Sequence, residues 1–281
     1  MKVLLVVNPQ KSASGQLAAE IKTSLEKQQI EVVSTSYTDK GLAQHDFDIA
    51  LSLGGDGTVL FAARSVAAYD VAILPLNLGT VGFIASVHPG QWQEVFDMWI
   101  NKKAEVSNRI MLDIKVERAG KTVCSLAALN DAVISASGIA KTIRLTAVSN
   151  NMQLGAYRSD GLIAATPTGS TAYCASAGGP ILDPEMEAII LNPICPFTLF
   201  YRPLVLPANE RVTVRVEPEQ RSGILLTIDG QVTEALDSGD LVHISKTAYK
   251  AHLLASERES FYNALHTKLS MLSTSQGGGG M

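Results

Sequence analysis

Short apolar runs alternate with helical patterns through the first hundred residues of this chain, and that rhythm leaves few ways to bury a backbone. Lys2 to Val7 is a β-rich run that stops at Asn8-Pro9. Ser14 is then placed to cap a helix carrying Leu17, Ile21 and Leu25 on one face at four-residue spacing. Residues 31–33 and 48–53 are further strand candidates, and the second ends at a glycine turn. An alanine-rich buried helix is expected over 59–68, a strand over 71–76 and a helix over 91–100. Alternating β and α segments of this length predict an open, mostly parallel sheet covered on both faces, an α/β domain spanning 1–105.

The rhythm changes after residue 105. Leu112, Ile114 and Val116 alternate with Asp113 and Lys115, and Ala119-Gly120 marks a turn. Similar short runs recur at 122–128, 131–135, 143–148, 161–165, 211–217, 223–229 and 241–245. Short strands punctuated by Gly, Pro or Asn predict a β-rich second domain, a β-sandwich over 106–256. Residues 257–269 are helical again and are expected to pack back on the first domain. The tail 273–281, ending in glycines before Met281, is expected to be disordered.

Composition supports this reading and excludes others. With 46% hydrophobic and 18% charged residues the chain has enough apolar material for a core. A net charge of −4 supplies no general basic field, so neither nucleic acid nor a membrane surface is an expected partner. Cys124, Cys174 and Cys195 are far apart and lack zinc-ligand spacing, which argues for reduced thiols. The N-terminal apolar run is too short for a signal peptide, and no run is long enough to span a bilayer. The expected setting is the cytoplasm.

The sharpest local feature is Gly54-Gly55-Asp56-Gly57-Thr58, set between an apolar strand and a helix. Glycines let backbone amides approach a phosphate, and the following helix offers its positive N-terminus. A carboxylate within such a turn repels phosphate unless a metal or a hydroxyl proton lies between them. That favours phosphoryl transfer, with Asp56 taking a hydroxyl proton or helping to place Mg²⁺ or another divalent cation. The plainer reading is a tight turn with Asp56 as a helix cap. Gly120-Lys121-Thr122 lacks the glycine a Walker A loop needs five residues earlier and reads as a hairpin turn. No GxGxxG follows a strand.

A second dense stretch runs from Tyr157 to Gly179. An apolar strand ends at Thr166-Pro167, and a hydroxyl-rich turn with a helix start near Thr171 follows, suited to a purine, ribose or phosphate or simply to tight packing. Asn130-Asp131 suits vicinal sugar hydroxyls, though such a pair is more often a turn. Asp229-Gly230-Gln231 reads as a hairpin turn, Lys141 as a solvated lysine, and Arg158 with Asp160 as a surface ion pair.

Together GGDGT (54–58), NLGTVGF (77–83), LND (129–131), SDGLIAATPTGSTAYCASAGGPI (159–181), RPLVLP (202–207) and IDGQ (228–231) resemble the NAD kinase family over most of residues 1–255. The resemblance implies a Rossmann-like N-terminal domain, a β-rich C-terminal domain and phosphorylation of the adenosine-ribose 2′-hydroxyl of NAD by ATP, or by polyphosphate, to give NADP. It also implies a homodimer or homotetramer. By position, Asp56 matches the proton acceptor and Gly57 its neighbour in the dinucleotide site. Asn130 and Asp131 match the pair that holds ribose hydroxyls. Thr171, Ala172, Tyr173 and Ser176 match the segment around adenine and ribose, and Arg158 and Asp160 match residues near the nicotinamide end. Phe83, Lys141 and Gln231 are further correspondences. Position 131 is Asp where many bacterial members have Glu, and Phe197 stands where the family often has His. The rival readings are a lipid or sphingoid-base kinase sharing the GGDGT turn, and a non-catalytic NAD(P) sensor.

Overall fold

A computed structural model describes residues 1–274, apart from 39–41, 43, 80, 81, 139, 140, 199 and 257, with side chains to residue 268. Of the tail expected over 273–281, Ser273 and Thr274 belong to the last helix, and 275–281 lie outside the described residues. Two compact units are present, one of residues 1–108 with the chain from 251 onward, the other of residues 109–250.

The first unit runs β1 (Lys2–Val7), α1 (Ser12–Glu26), β2 (Glu31–Ser36), β3 (Ile49–Gly54), α2 (Asp56–Val66), β4 (Ala72–Asn77) and α3 (Trp92–Ile100). The strands are parallel in the order β2-β1-β3-β4, and His252 and Leu253 pair in parallel with Ala72 and Ile73. Val3 to Val6 are all fully buried. A strand covered on both faces has no solvent side, which is why it is an unbroken apolar run and not an alternating one. Val3, Leu5, Leu51, Leu53, Leu74 and Leu76 share a core with Ile21 and Leu25 of α1 and Phe96 of α3.

Two helix starts differ from expectation. Lys11, not Ser14, occupies the N-cap position of α1. Ser14 sits within the first turn, where its hydroxyl donates to the Leu53 carbonyl at 2.8 Å and accepts from the Asn8 amide at 3.1 Å. A buried hydroxyl beside two strand ends satisfies their backbone groups instead of its own helix. The helix expected from Val59 begins at Asp56, directly after the glycine turn.

The second unit is two antiparallel sheets. One joins β8 (Ile143–Ser149), β9 (Met152–Ser159), β13 (Val212–Val216) and β16 (Leu241–Leu254), with β5 (Val106–Arg118) and β6 (Lys121–Ala128) paired to it through β16. The other has the order β12 (Leu204–Pro207), β11 (Ala188–Ile194), β10 (Gly161–Ala165), β7 (Asp131–Ala136), β14 (Ile224–Ile228), β15 (Val232–Leu236). Leu145, Val214 and Val242 from the first sheet interleave with Ile134, Leu162 and Leu226 from the second, the packing of a β-sandwich. Ile163 and Ala165 face the opposite way and pack with Cys174 of the short helix α4 (Tyr173–Ser176). Every residue of β10 is therefore buried.

β9, β11, β12 and β15 are absent from the sequence reading, and each hides its signal differently. Gly155 and a register irregularity interrupt β9. Pro193 interrupts β11, but β12 pairs only with Ala188 to Leu191, so the missing amide falls beyond that ladder. The edge strand β15 is mostly solvated and has no apolar period. The last helix, α5 (Arg258–Thr274), belongs to the first unit, where Phe261 is buried against Phe83 with ring centroids 5.8 Å apart.

Candidate active site

In the first unit the carboxyl ends of β3 and β4 meet the glycine turn, the place where open parallel sheets collect ligands. Gly55 takes the N-cap position of α2 without a side-chain cap, and Asp56 is the first helical residue. The Asp56 side chain is not a cap. Its Oδ2 accepts from the Phe83 amide at 2.9 Å, and its Oδ1 accepts from Ile84 at 3.2 Å and Ala85 at 2.8 Å. A Cβ on Gly82 would stand 1.9 Å from Asp56 Oδ1, so the segment closes on the carboxylate only because residue 82 has none. A carboxylate offers about four lone-pair directions. Three are used here, and Oδ2 keeps one for a hydroxyl proton.

Phe83 is half-buried, with the Lys268 ammonium 3.9 Å from its ring centroid. Gly57 lies in the first turn of α2. Thr80 and Val81 of the NLGTVGF stretch lie outside the described residues.

In the second unit an open cleft of ≈ 380 Å³ is lined by Asn130, Asp131, Ala172 and Tyr173 of the expected residues, joined by Val133, Ser135, Thr227, Asp229 and Gly230. Asn130 is 8% and Asp131 4% exposed, and Asn130 Oδ1 is buried without a hydrogen-bond partner. An unpartnered buried carbonyl oxygen is costly unless a ligand donor meets it. Tyr173 is 48% exposed and offers its ring to the cleft.

The Asn130-Asp131 backbone is clamped from two sides. The Asp229 carboxylate accepts from the amides of Leu129 at 3.1 Å, Asn130 at 2.8 Å and Asp131 at 3.1 Å. On the other side the Thr166 hydroxyl donates to the Leu129 carbonyl at 2.6 Å, and the Thr166 amide donates to the Asn130 carbonyl at 2.9 Å. Gly169 packs so close that a Cβ there would lie 2.1 Å from the Asn130 carbonyl oxygen. Burial, with the neighbouring Asp229 carboxylate, pushes the Asp131 carboxyl up to about 7.

The remaining expected residues stand outside the cleft lining. Thr171 donates to the Thr168 carbonyl at 3.3 Å, and Ser176 is exposed at the end of α4. Lys141 and Gln231 are exposed. The Arg158 guanidinium lies 4.7 Å from the Phe197 ring centroid, a cation–π contact where an ion pair with Asp160 was expected. Asp160 instead joins β7 and β11 through its backbone, its amide donating to Ile194 and its carbonyl accepting from Ala136. Asp229-Gly230 is a turn, as expected, with both residues at positive φ. The structure adds that its acid side chain organises the cleft floor. The only sequence signal for this role was an acid in a turn between two strands.

Comparison with known proteins follows the same division of the chain. The ATP-NAD kinase N-terminal domain family matches residues 38–104, and the ATP-NAD kinase C-terminal domain family matches residues 129–256. An NAD kinase of Treponema denticola is 40% identical over 273 residues, covering 95% of each chain. Among solved structures, yeast NADH kinase complexed with NADH superposes with a TM-score of 0.81 at 22% identity, covering 96% of this chain and 87% of the other. An NAD kinase of Archaeoglobus fulgidus in complex with ATP gives 0.72 at 25% identity, covering 94% and 96%. Two domain families matched in order and a relative aligned over nearly its whole length establish that this chain belongs to the NAD kinase family.

Proposed function

We infer that this chain catalyses the family's reaction, transfer of the γ-phosphoryl group of ATP to the adenosine-ribose 2′-hydroxyl of NAD, giving NADP and ADP. The observation that carries the site assignment is the clamped Asn130-Asp131 pair, with an unpartnered buried amide oxygen and a carboxyl side by side in the cleft wall. Vicinal ribose hydroxyls need adjacent acceptors of this kind, and the exposed Tyr173 ring suits the adjoining base. A diacylglycerol or sphingoid base has no ribose diol to meet the adjacent Asn130 and Asp131 side chains that line this cleft.

In the chemical step the 2′-oxygen attacks the γ-phosphorus in line as the bond to the β-bridging oxygen breaks. The hydroxyl proton passes to Asp56 Oδ2, the oxygen engaged by one amide alone. Asn130 and Asp131 hold the ribose, and orientation of this kind supplies up to roughly 7–11 kcal/mol in favourable cases. The amides at the start of α2 offset phosphate charge. A magnesium ion would be held chiefly by the phosphates of ATP and water, because the last lone pair of Asp56 is kept for the hydroxyl proton. Such a cation neutralises charge on the transferring group.

The donor elements are assigned to the α/β domain (1–105) and dinucleotide recognition to 106–256. Thr171, Ser176, Lys141, Arg158, Asp160, Gln231, Gly57 and Phe83 are assigned to the periphery of the dinucleotide. A homodimer or homotetramer is the expected assembly, supported by the 71% exposure of Phe197 and 91% of Phe200, large apolar side chains that a neighbouring subunit can cover. A cytoplasmic setting suits three free thiols.

The test is a coupled assay of NADP formation with Asp56→Asn. General-base loss should lower kcat by about 10²–10⁴-fold while circular dichroism stays unchanged. Near-normal turnover would remove Asp56 from the role.

A further inference from the structure

Lys11 enters none of the motifs above, yet the structure carries it into the glycine turn. It follows Asn8-Pro9-Gln10 at the end of β1 and stands one residue before α1. Its half-buried ammonium donates to the Gly54 carbonyl at 3.2 Å and to the Leu78 carbonyl at 3.1 Å. Gly54 ends β3 and Leu78 directly follows β4, next to the start of α2. A Cβ on Gly79 would come within 2.8 Å of Lys11 Nζ, and one on Gly55 within 3.5 Å. The side chain thus runs between the two glycine turns.

An ammonium has three protons. Two are spent on carbonyls, which hold the charge in place without neutralising it. Among the described residues no carboxylate pairs with Lys11, whereas Lys2, Lys22 and His252 of the same unit each have an acidic partner. A fixed, uncompensated cation at the carboxyl ends of parallel strands, with one proton unassigned, is built for an anion.

We propose that Lys11 contacts the β- and γ-phosphates of ATP and stabilises the charge that moves onto the β-bridging oxygen as the phosphoryl group leaves. This rests on the reading that ATP is the donor at the Gly54–Thr58 turn. A lysine that merely braced the two turns would affect both substrates alike and would not sense phosphate.

The test measures steady-state kinetics of wild type, Lys11→Met and Lys11→Arg with ATP and NAD varied separately, and competitive inhibition by inorganic tripolyphosphate. Lys11→Met should raise KM for ATP at least tenfold and lower kcat, leave KM for NAD within twofold, and weaken tripolyphosphate inhibition by a factor similar to the ATP effect. Lys11→Arg should recover most of the ATP KM. Unchanged KM for ATP and unchanged tripolyphosphate inhibition in Lys11→Met would overturn the assignment, as would equal losses toward ATP and NAD. If Lys11→Met melts well below wild type, Lys11→Arg at wild-type stability decides: a tripolyphosphate affinity near that of Lys11→Met refutes the phosphate contact, and one near wild type upholds it. Wild type that forms no NADP from NAD and ATP would refute the parent reading and this one with it, whereas active wild type with an indifferent Lys11→Met refutes this one alone.

Discussion

Asp131 shows how one side chain's environment becomes a measurable property. Its carboxyl is buried beside Asp229, and its folded pKa stands at about 7 against an ordinary 3.8. A carboxyl raised in the folded state binds its proton more tightly there than in the unfolded chain. Its stabilising contribution is complete below the unfolded value and disappears as pH rises through about 7. At 1.36 kcal/mol per unit, the full swing is about 4 kcal/mol. Asp131→Asn carries no titrating proton, so it should melt above wild type at pH 8, with the difference shrinking toward pH 4. Thermal unfolding across that range checks this, and a difference independent of pH would contradict the assignment. The same burial explains why Asn130-Asp131 looked like an ordinary turn in the sequence: composition marks two polar residues, and only the fold makes them scarce acceptors inside a cleft wall.

The hydroxyl-rich segment from Thr166 to Ser176 acts as a single element. Residues Thr168–Thr171 form a tight 3₁₀ turn, and Gly169 brings it against the Asn130 backbone. Gly169→Ala places a methyl group 2.1 Å from a carbonyl oxygen, so either the turn or the Asn130 strand end must shift. Overpacking of this kind costs about 1–3 kcal/mol. The expected result is a lower melting temperature and a KM for NAD raised tenfold or more, with KM for ATP little changed. Equal changes in both constants would mean the turn does not serve the dinucleotide. This stretch was legible in the sequence as a strand followed by a capped turn, and β1, β3, β4 and β10 were legible as apolar runs. β11 and β15 were not. A proline beyond a ladder's end and a solvated edge carry no periodic signal, because sheet position, not local pattern, decides which groups need a partner.

Across the whole molecule, no cluster of three or more His, Cys, Asp or Glu among the described residues is arranged to hold a metal ion. On the reading that the divalent cation arrives with ATP, it is a substrate partner and not a part of the folded core. Chelation with EDTA should therefore stop NADP formation while leaving the melting temperature of the nucleotide-free protein unchanged, and added magnesium should restore turnover. A marked fall in melting temperature on chelation would point to a resident structural ion. Among the described residues no helix is long and apolar enough to cross a membrane.

Sequence alone determined the α/β opening, the β-rich remainder, the glycine turn with its acid, and the family to which these motifs point. Those features are local: burial on one face or two leaves a period or an unbroken apolar run, and a backbone that must approach phosphate requires glycine at particular places. Tertiary structure decided that Asp229 clamps residues 98 to 100 positions away, that the amides of Phe83 to Ala85 engage Asp56, and that Lys11 reaches Gly54 and Leu78. Each depends on strand order and register bringing distant chain segments within about 3 Å, a distance that no local pattern of side chains encodes.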